Sequence, residues 1–194
     1  LFVGKRVFRL VELLKGPLLL AFGTASSEAA YPKTLEAVNR FGVNKKISSF
    51  VLPIGYSFNL DGSMMYCAFA VIFIAQIAGI DLSFGTQVTM LLLLMVTSKG
   101  IAGVPRAALV VIAATLSTFN LPEAGIALLL AVDQFLDMGR SATNVVGNGL
   151  ASVAIAKWEG ELGEDLTEEE YLALSEVELE EEFFTDQEKG TQGS

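Results

Sequence analysis

The chain has 194 residues, of which 52% are hydrophobic, and its mean hydropathy of +0.53 is more apolar than soluble domains usually are. Its formal charge is −9 at pH 7, but the acid lies mostly beyond Glu159, whereas Lys5, Arg6, Arg9, Lys15, Lys33, Arg40, Lys45 and Lys46 crowd the first quarter. One cysteine, Cys67, and no histidine exclude a disulfide framework, a Cys/His zinc site and Ser–His or Cys–His catalysis, and the charge pattern gives no surface for nucleic acid.

In chain order the charge-free stretches are Pro17–Ser27, Ile47–Leu60, Gly62–Ile80, Leu82–Ser98, Ala107–Pro122 and Ser141–Ala156. Few of them reach the ~20 residues that span a bilayer unaided. The breaks between them are small and polar: Gly23 to Ser27, Asn59 to Ser63, and Ser98 to Pro105. Irregular backbone at membrane depth is tolerated only where protein or a water cavity buries it. Half-length apolar pairs with Ser/Gly tips therefore read as re-entrant helical hairpins, a pattern that points to a carrier's midplane site. The expected order is hairpin 1 over roughly 8–42, an interrupted helix over roughly 46–80, hairpin 2 over roughly 83–120, and a last helix over roughly 122–157. The acidic tail, 159–194, reads as solvated and disordered, with a short helix around Glu168–Glu182.

Charge sets an orientation. The Lys/Arg-rich segments before Gly16 and from Lys33 to Lys46 belong on the cytoplasmic side, and Asp81 and Glu123 outside. The two hairpins then enter from opposite faces, each followed by a spanning segment. The expected fold is an all-α membrane protein, an inverted repeat of two re-entrant hairpins and two spanning helices, one interrupted. The expected location is the inner (plasma) membrane, with the lipid bilayer as a partner and the tail cytoplasmic.

The last helix carries the strongest functional signal. Asp133, Asp137, Arg140, Asn144 and Asn148 are spaced four, three, four and four apart, so they stack on one face. An ionisable residue near a bilayer centre costs roughly 2.5–3.5 kcal/mol on insertion scales and is functional by default. Arg140 offers a planar fork suited to a carboxylate. An internal Asp–Arg pair that merely neutralises charge would explain insertion, but not the asparagines. At the first tip, Ser26 and Ser27 stand where backbone N–H groups of a half-helix can hold a carboxylate. Asn59 and Asp61 break an apolar run with hard oxygen ligands, which suits Na⁺. Any single serine here, taken alone, reads more readily as a helix-packing residue than as a ligand.

SSEAAYP, SFNLDGSMMY, SKGIAGVP and DMGRSATNVVGNG together resemble the signature regions of the glutamate-transporter family, the dicarboxylate/amino acid:cation symporters. The resemblance runs over roughly residues 8–158 and is nearest to bacterial glutamate/aspartate symporters. It implies that 1–158 is the C-terminal part of a transport domain, that the family's first six helices lie outside this sequence, and that the full protein is a homotrimer. It implies secondary active import of an acidic amino acid by alternating access, coupled to protons, sodium or both, without a cofactor and without enzymatic chemistry.

Residue by residue, the resemblance gives Arg140 the substrate's side-chain carboxylate and Asp137 its amino group. It gives Asn144 the α-carboxylate and, through its backbone, a sodium ion. Ser141 and Ser63 match hydroxyl positions beside the substrate, and Val104 a tip carbonyl that accepts from the ammonium. The Gly55 carbonyl, Asn59 and Asp61 match cation positions. The chain departs from the family pattern at Asn148, where strongly sodium-coupled relatives have Asp, and at Cys67, where animal relatives have a proton-carrying Glu. Glu28 is the remaining acidic residue in the membrane-dipping part of hairpin 1, so it is the expected proton carrier. Lys99 and Arg106 flank the second tip and are expected in a water-filled vestibule; Asp133 has only a supporting role. A C4-dicarboxylate symporter is the alternative within transport, and Asp137 speaks against it. A passive anion channel is the alternative from another class, and it needs a continuous pore rather than polar groups converging at one depth. An intramembrane serine hydrolase fails for want of a partner base.

Overall fold

The computed structural model describes residues 4–98 and 105–174, and the regular elements among them are all helices, with no strand. The helices are α1 (Val7–Thr24), α2 (Tyr31–Arg40), α3 (Lys45–Phe58), α4 (Asp61–Ile77), α5 (Phe84–Thr97), α6 (Ala107–Thr118), α7 (Ile126–Leu130) and α8 (Asp133–Trp158).

α1 ends where Ala25 turns into the left-handed region (φ 50) and returns its N–H to Ala21 and Phe22 carbonyls. Ala25 is wholly buried, and the surrounding packing together with these two hydrogen bonds holds a conformation that a residue with a Cβ otherwise avoids. Pro32 then sits at the start of α2, where a missing N–H costs nothing. α2 is tied to α3 by an edge-on contact of Tyr31 with Tyr56, 5.3 Å between ring centres, and by the Tyr56 hydroxyl on Thr34 Oγ1 at 3.1 Å. Asn44 caps α3 by accepting from the Lys46 N–H.

Two apolar clusters result. Leu10, Leu14, Val38, Phe41, Leu52, Val145 and Val153 join α1, α2, α3 and α8. Val71, Ile74, Met90, Leu94, Ile112 and Leu116 join α4, α5 and α6. α8 packs along α1, α3 and α4, so it reaches both. Each fully buried Leu, Ile or Phe contributes roughly 1.5–3 kcal/mol over an exposed one. Among the described residues, Lys45–Ile77 is the one helical run long and apolar enough to cross a membrane by itself. α8 has the length but not the hydropathy, because its polar face is turned inward against α1, α3 and α4.

Three elements differ from the sequence reading. The break in the interrupted helix is confined to Asn59 and Leu60, so Asp61, Gly62 and Ser63 already form the first turn of α4. The last helix is not continuous over 122–157: a 3₁₀ turn at Glu123–Gly125 and the short α7 precede it, and α8 begins at Asp133. Val132, with φ −119, ends the α7 segment, and its carbonyl accepts from Phe135 and Leu136. The apolar run IALLLAV hides this joint from any reading by hydropathy.

The third difference is in the tail. Residues 159–167 are not free in solvent but lie along the base of the first hairpin. Leu162 bridges to Val43, Gly163 N–H reaches the Gly42 carbonyl at 2.8 Å, and Leu166 N–H reaches Arg40 at 2.7 Å. Arg6 clamps this strap, donating to the Phe41 and Gly163 carbonyls at 2.9 and 3.0 Å, pairing with Asp165, and stacking 4.7 Å from the Phe41 ring centre. Gly42, at φ +97, makes the approach possible, since a Cβ there would strike the Gly163 and Glu164 backbone. Unpaired loop N–H and C=O groups and a basic first helix outweighed the solvation of acidic chain. A helix over 168–174 follows, and Thr167 and Glu170 cap it reciprocally. The Thr167 N–H and hydroxyl hold the Glu170 carboxyl below its ordinary range.

Candidate functional site

The site is built where α8 crosses the break between α3 and α4. The break leaves the first N–H groups of α4 without helical acceptors, and Leu60 has no side chain to cap them. Asn144 supplies the cap from another helix: its Oδ1 accepts from Gly62 N–H at 2.9 Å and Ser63 N–H at 3.4 Å, and its Nδ2 donates to Ser63 Oγ at 3.3 Å. The helices can come this close because Gly62 has no Cβ, which would run into the Arg140 carbonyl and Thr143.

One turn along, Arg140 Nε donates to Asp137 Oδ1 at 2.6 Å, and Arg140 Nη1 to Ser63 Oγ at 2.9 Å. Both charged side chains have no solvent exposure. A buried ion pair of this kind is weak evidence for stability, because desolvation offsets the attraction. The other Asp137 oxygen, Oδ2, accepts from the Arg106 N–H at 2.7 Å, so the start of α6 also reaches the pair.

The opposite end of the polar face meets the break itself. Asn59 Nδ2 donates to Asn148 Oδ1 at 3.2 Å. A Cβ on Gly55 would strike that same oxygen, and one on Gly147 would stand 2.6 Å from Asp61 Oδ2. Gly55, Asn59, Asp61 and Asn148 therefore share one locality, with α8 glycine backbone as its floor. Its donor set is hard oxygen: one carboxylate, two side-chain amides and backbone carbonyls around the break, where the Gly55 carbonyl also accepts from Asn59 N–H at 2.7 Å, and such a set fits Na⁺ better than a soft-ligand metal. No cluster of three His, Cys, Asp or Glu side chains occurs among the described residues, so a multivalent site of that kind is not formed by them.

Of the residues the sequence singled out, the structure joins Ser63, Asp137, Arg140 and Asn144 by direct hydrogen bonds, and Asn59 to Asn148 beside Gly55 and Asp61. Ser141 and Ser27 are fully buried, and their hydroxyls have no hydrogen-bond partner among the described residues. Ser26 and Glu28 lie at the first tip, where Glu28 is exposed and begins a 3₁₀ turn. Part of the tip's N–H supply is spent locally, with Ala29 donating to Ser26 Oγ at 3.3 Å and Ala30 to the Ser27 carbonyl at 3.1 Å. Val104 and Lys99 lie outside the described residues.

The structure adds one residue that sequence reasoning did not weigh, Tyr66, and gives another, Arg106, contacts that were not expected. Tyr66 donates to Asp133 Oδ1 at 2.6 Å. Arg106 is more than a vestibule charge, because its Nε lies 3.6 Å from Asp133 Oδ2 while its N–H holds Asp137. For Tyr66 a signal existed, as it follows Ser63 by three residues on α4 and so shares its face. For Arg106 there was none, since only the fold brings the start of α6 onto α8.

A charge pair sealed inside an apolar helical protein stands beside a broken helix, and polar groups so placed mark a candidate functional site. The Sodium:dicarboxylate symporter family model matches residues 1–158, and the chain belongs to that family of integral membrane transporters rather than to an enzyme class. It is 51% identical over 162 residues to the proton/sodium-glutamate symport protein of Bacillus caldotenax, covering 84% of this chain and 38% of that protein. It is 53% identical over 156 residues to the proton/glutamate-aspartate symporter of Escherichia coli K12, covering 80% and 36%. It is 45% identical over 168 residues to C4-dicarboxylate transport protein 2 of Bradyrhizobium sp. ORS 278, covering 85% and 37%. The chain thus spans well under half the length of the curated relatives it matches.

Proposed function

We propose that the whole protein imports glutamate or aspartate together with protons, sodium or both, by alternating access, with the two hairpin tips as gates entering from opposite faces and the inverted repeat as their frame. The observation that carries this reading is the Asp137–Arg140 pair, fully buried and one turn apart. An amino-acid dicarboxylate brings two anionic groups and one ammonium, so its site needs both charges fixed and water excluded. Arg140 takes the side-chain carboxylate in exchange for its present partners, and Asp137, freed from Arg140, holds the ammonium with the Val104 carbonyl. Ser27 and Ser141 hydroxyls, buried and unpartnered, supply neutral donors, and Ser26 and Ser63 add theirs. The Asn144 amide turns from Ser63 to the α-carboxylate, while its backbone and the carbonyl of Gly55, with Asn59, Asp61 and Asn148, bind Na⁺. Asn148 is neutral, so its electrostatic pull on a cation is weak, and proton coupling gains weight accordingly. Glu28, exposed at the first tip, carries the proton. The full protein is a homotrimer in the plasma membrane with the 159–194 tail cytoplasmic.

The C4-dicarboxylate reading keeps Arg140 but gives Asp137 no work, since that substrate has no ammonium to balance a buried carboxylate. Uptake by the full-length protein in proteoliposomes, with Na⁺ and H⁺ gradients imposed separately, tests both. Gradient-driven glutamate or aspartate accumulation is expected, with poor competition by succinate. Succinate accumulation that aspartate does not inhibit would overturn the substrate, and downhill flux without accumulation would favour a channel. Sodium-independent uptake that survives intact in Glu28→Gln would remove Glu28 from the proton path.

A further inference from the structure

Two different elements hold the two oxygens of Asp137. Oδ1 accepts from Arg140 Nε at 2.6 Å, within α8, and Oδ2 accepts from the Arg106 N–H at 2.7 Å, at the start of α6. In the proposed carrier a substrate carboxylate takes Arg140, and the ammonium meets the freed Oδ1. The hold on Oδ2 then decides whether the carboxylate still points at the ammonium. That hold is a backbone N–H, so its direction follows the conformation of Arg106.

Arg106 is left-handed, φ 63, and no side-chain hydrogen bond of its own caps α6. Glycine adopts that region freely, whereas a residue with a Cβ persists there only where its surroundings hold it. Asp133 stands in place to do so. It lies in the first turn of α8, one turn before Asp137, and is fully buried. Its Oδ2 has no hydrogen bond among the described residues and stands 3.6 Å from Arg106 Nε. Arg106 is the one cation within ion-pair distance of Asp133 among those residues. A pair between two exposed groups contributes little, and 61% of the Arg106 side chain is exposed. Asp133 is sealed, so water screens its charge far less. Asp133 is fixed in turn by Tyr66 on α4, which donates to Oδ1 at 2.6 Å. The body of α6 is docked separately: Ala108 is fully buried, and its carbonyl accepts from Cys67 Sγ at 3.8 Å. What is left for Asp133 to set is the conformation of residue 106 itself.

We propose that Asp133 is a positioning residue for amino-group recognition: fixed by Tyr66, it holds Arg106 by charge, and Arg106 aims its N–H at Asp137. The proposal rests on the reading of Asp137 as the ammonium ligand. Of Tyr66, Asp133, Arg106 and Asp137, only the last touches the substrate in that reading. The effect is therefore on which substrate is preferred. A dicarboxylate with an amino group needs an aimed Asp137, and one without it does not. Loosening the hold costs aspartate affinity and spares succinate.

The test uses the full-length protein in proteoliposomes, measuring KM and Vmax for labelled aspartate and its inhibition by unlabelled succinate. Asp133→Asn keeps the shape and the acceptor for Tyr66 but lacks the charge. It should raise the aspartate KM by about tenfold, with Vmax little changed, and narrow the preference for aspartate over succinate by a like factor. Arg106→Gly keeps the N–H but frees its direction, and should narrow the preference similarly. Arg106→Lys, which keeps a cation, should restore most of it. Tyr66→Phe should narrow it by about threefold. A merely structural role would lower Vmax or the yield of protein and leave the preference alone. If Asp133→Asn fails to fold, Arg106→Gly carries the same readout. An unchanged preference in Asp133→Asn, or in Arg106→Gly and Tyr66→Phe together, would overturn the proposal while leaving the carrier reading intact. An unaltered protein with no preference for aspartate over succinate would overturn the reading of Asp137 and the proposal with it.

Discussion

The polar face of α8 divides into two unlike halves. Toward its start, Asp133, Asp137 and Arg140 are charged and meet partners from two directions: Ser63 and Tyr66 on α4, and Arg106 at the start of α6. Toward its end, Asn144 and Asn148 are neutral and serve the broken helix, one capping α4 and the other bonded to Asn59. The sequence spacing treats all five residues alike. What separates them is the neighbour. The charged half meets a counter-charge from the start of α6, and the amide half meets backbone and an amide at the break between α3 and α4.

The sharpest way to break this contrast is Arg140→Ala. It leaves Asp137 buried without its cation, and the expected loss is roughly 3–5 kcal/mol of stability together with acidic-substrate uptake. Thermal unfolding and uptake measured on the same preparation check it; unchanged melting would mean that water already reaches the pair. Asn144→Leu comes next, because it strands the Gly62 and Ser63 N–H groups at a cost of about 1–3 kcal/mol. Faster hydrogen exchange at the start of α4 is its signature, and unaltered exchange there would show that Asn144 is not the cap.

Gly55→Ala probes the amide half from the other side. Its Cβ would meet Asn148 Oδ1, so an overpacking cost of about 1–3 kcal/mol is expected, with weaker Na⁺ stimulation of substrate binding. Full Na⁺ stimulation would place the cation elsewhere. A contact outside the stripe serves as control. Arg6→Gln should loosen residues 159–167, seen as faster exchange there, for about 0.5–1 kcal/mol, and should leave the charged half untouched. The smallest effect concerns Glu170. Its folded-state pKa is lowered, so its share of the cap at Thr167 is present above the ordinary carboxylate range and fades as pH falls through the folded value. Circular dichroism of the 168–174 helix against acidification follows that loss, which Glu170→Gln should abolish.

Much of the architecture was legible because apolar length and small-residue breaks are local properties. The end of α1 near Gly23–Ser27, the break at Asn59 and the common face of the polar residues on α8 all follow from spacing. The joint at Ala131–Val132 was not legible, since it lies in an unbroken apolar run and is fixed by Val132 rather than by a turn residue. The strap of residues 159–167 was hidden for the opposite reason: its composition favours solvent, and only the exposed backbone of residues 40–44 and the Arg6 guanidinium recruit it. Within the site, residue types and their common face were readable, whereas the division of labour was not. Asn144 reads from the sequence as a substrate ligand, and the sequence holds no sign that its side chain caps another helix.

By itself, then, the sequence determined that a row of polar side chains would share one face of a helix in an apolar protein, because 3.6-residue periodicity places them there whatever surrounds them. Tertiary structure alone decided which of them are paired, capped or left open. Arg106 meets Asp133 across 27 positions of chain (133 − 106), and Ser63 meets Arg140 across 77. No local pattern encodes such meetings; close packing of α4, the second hairpin and α8 does, and it fixes where a buried charge finds its partner.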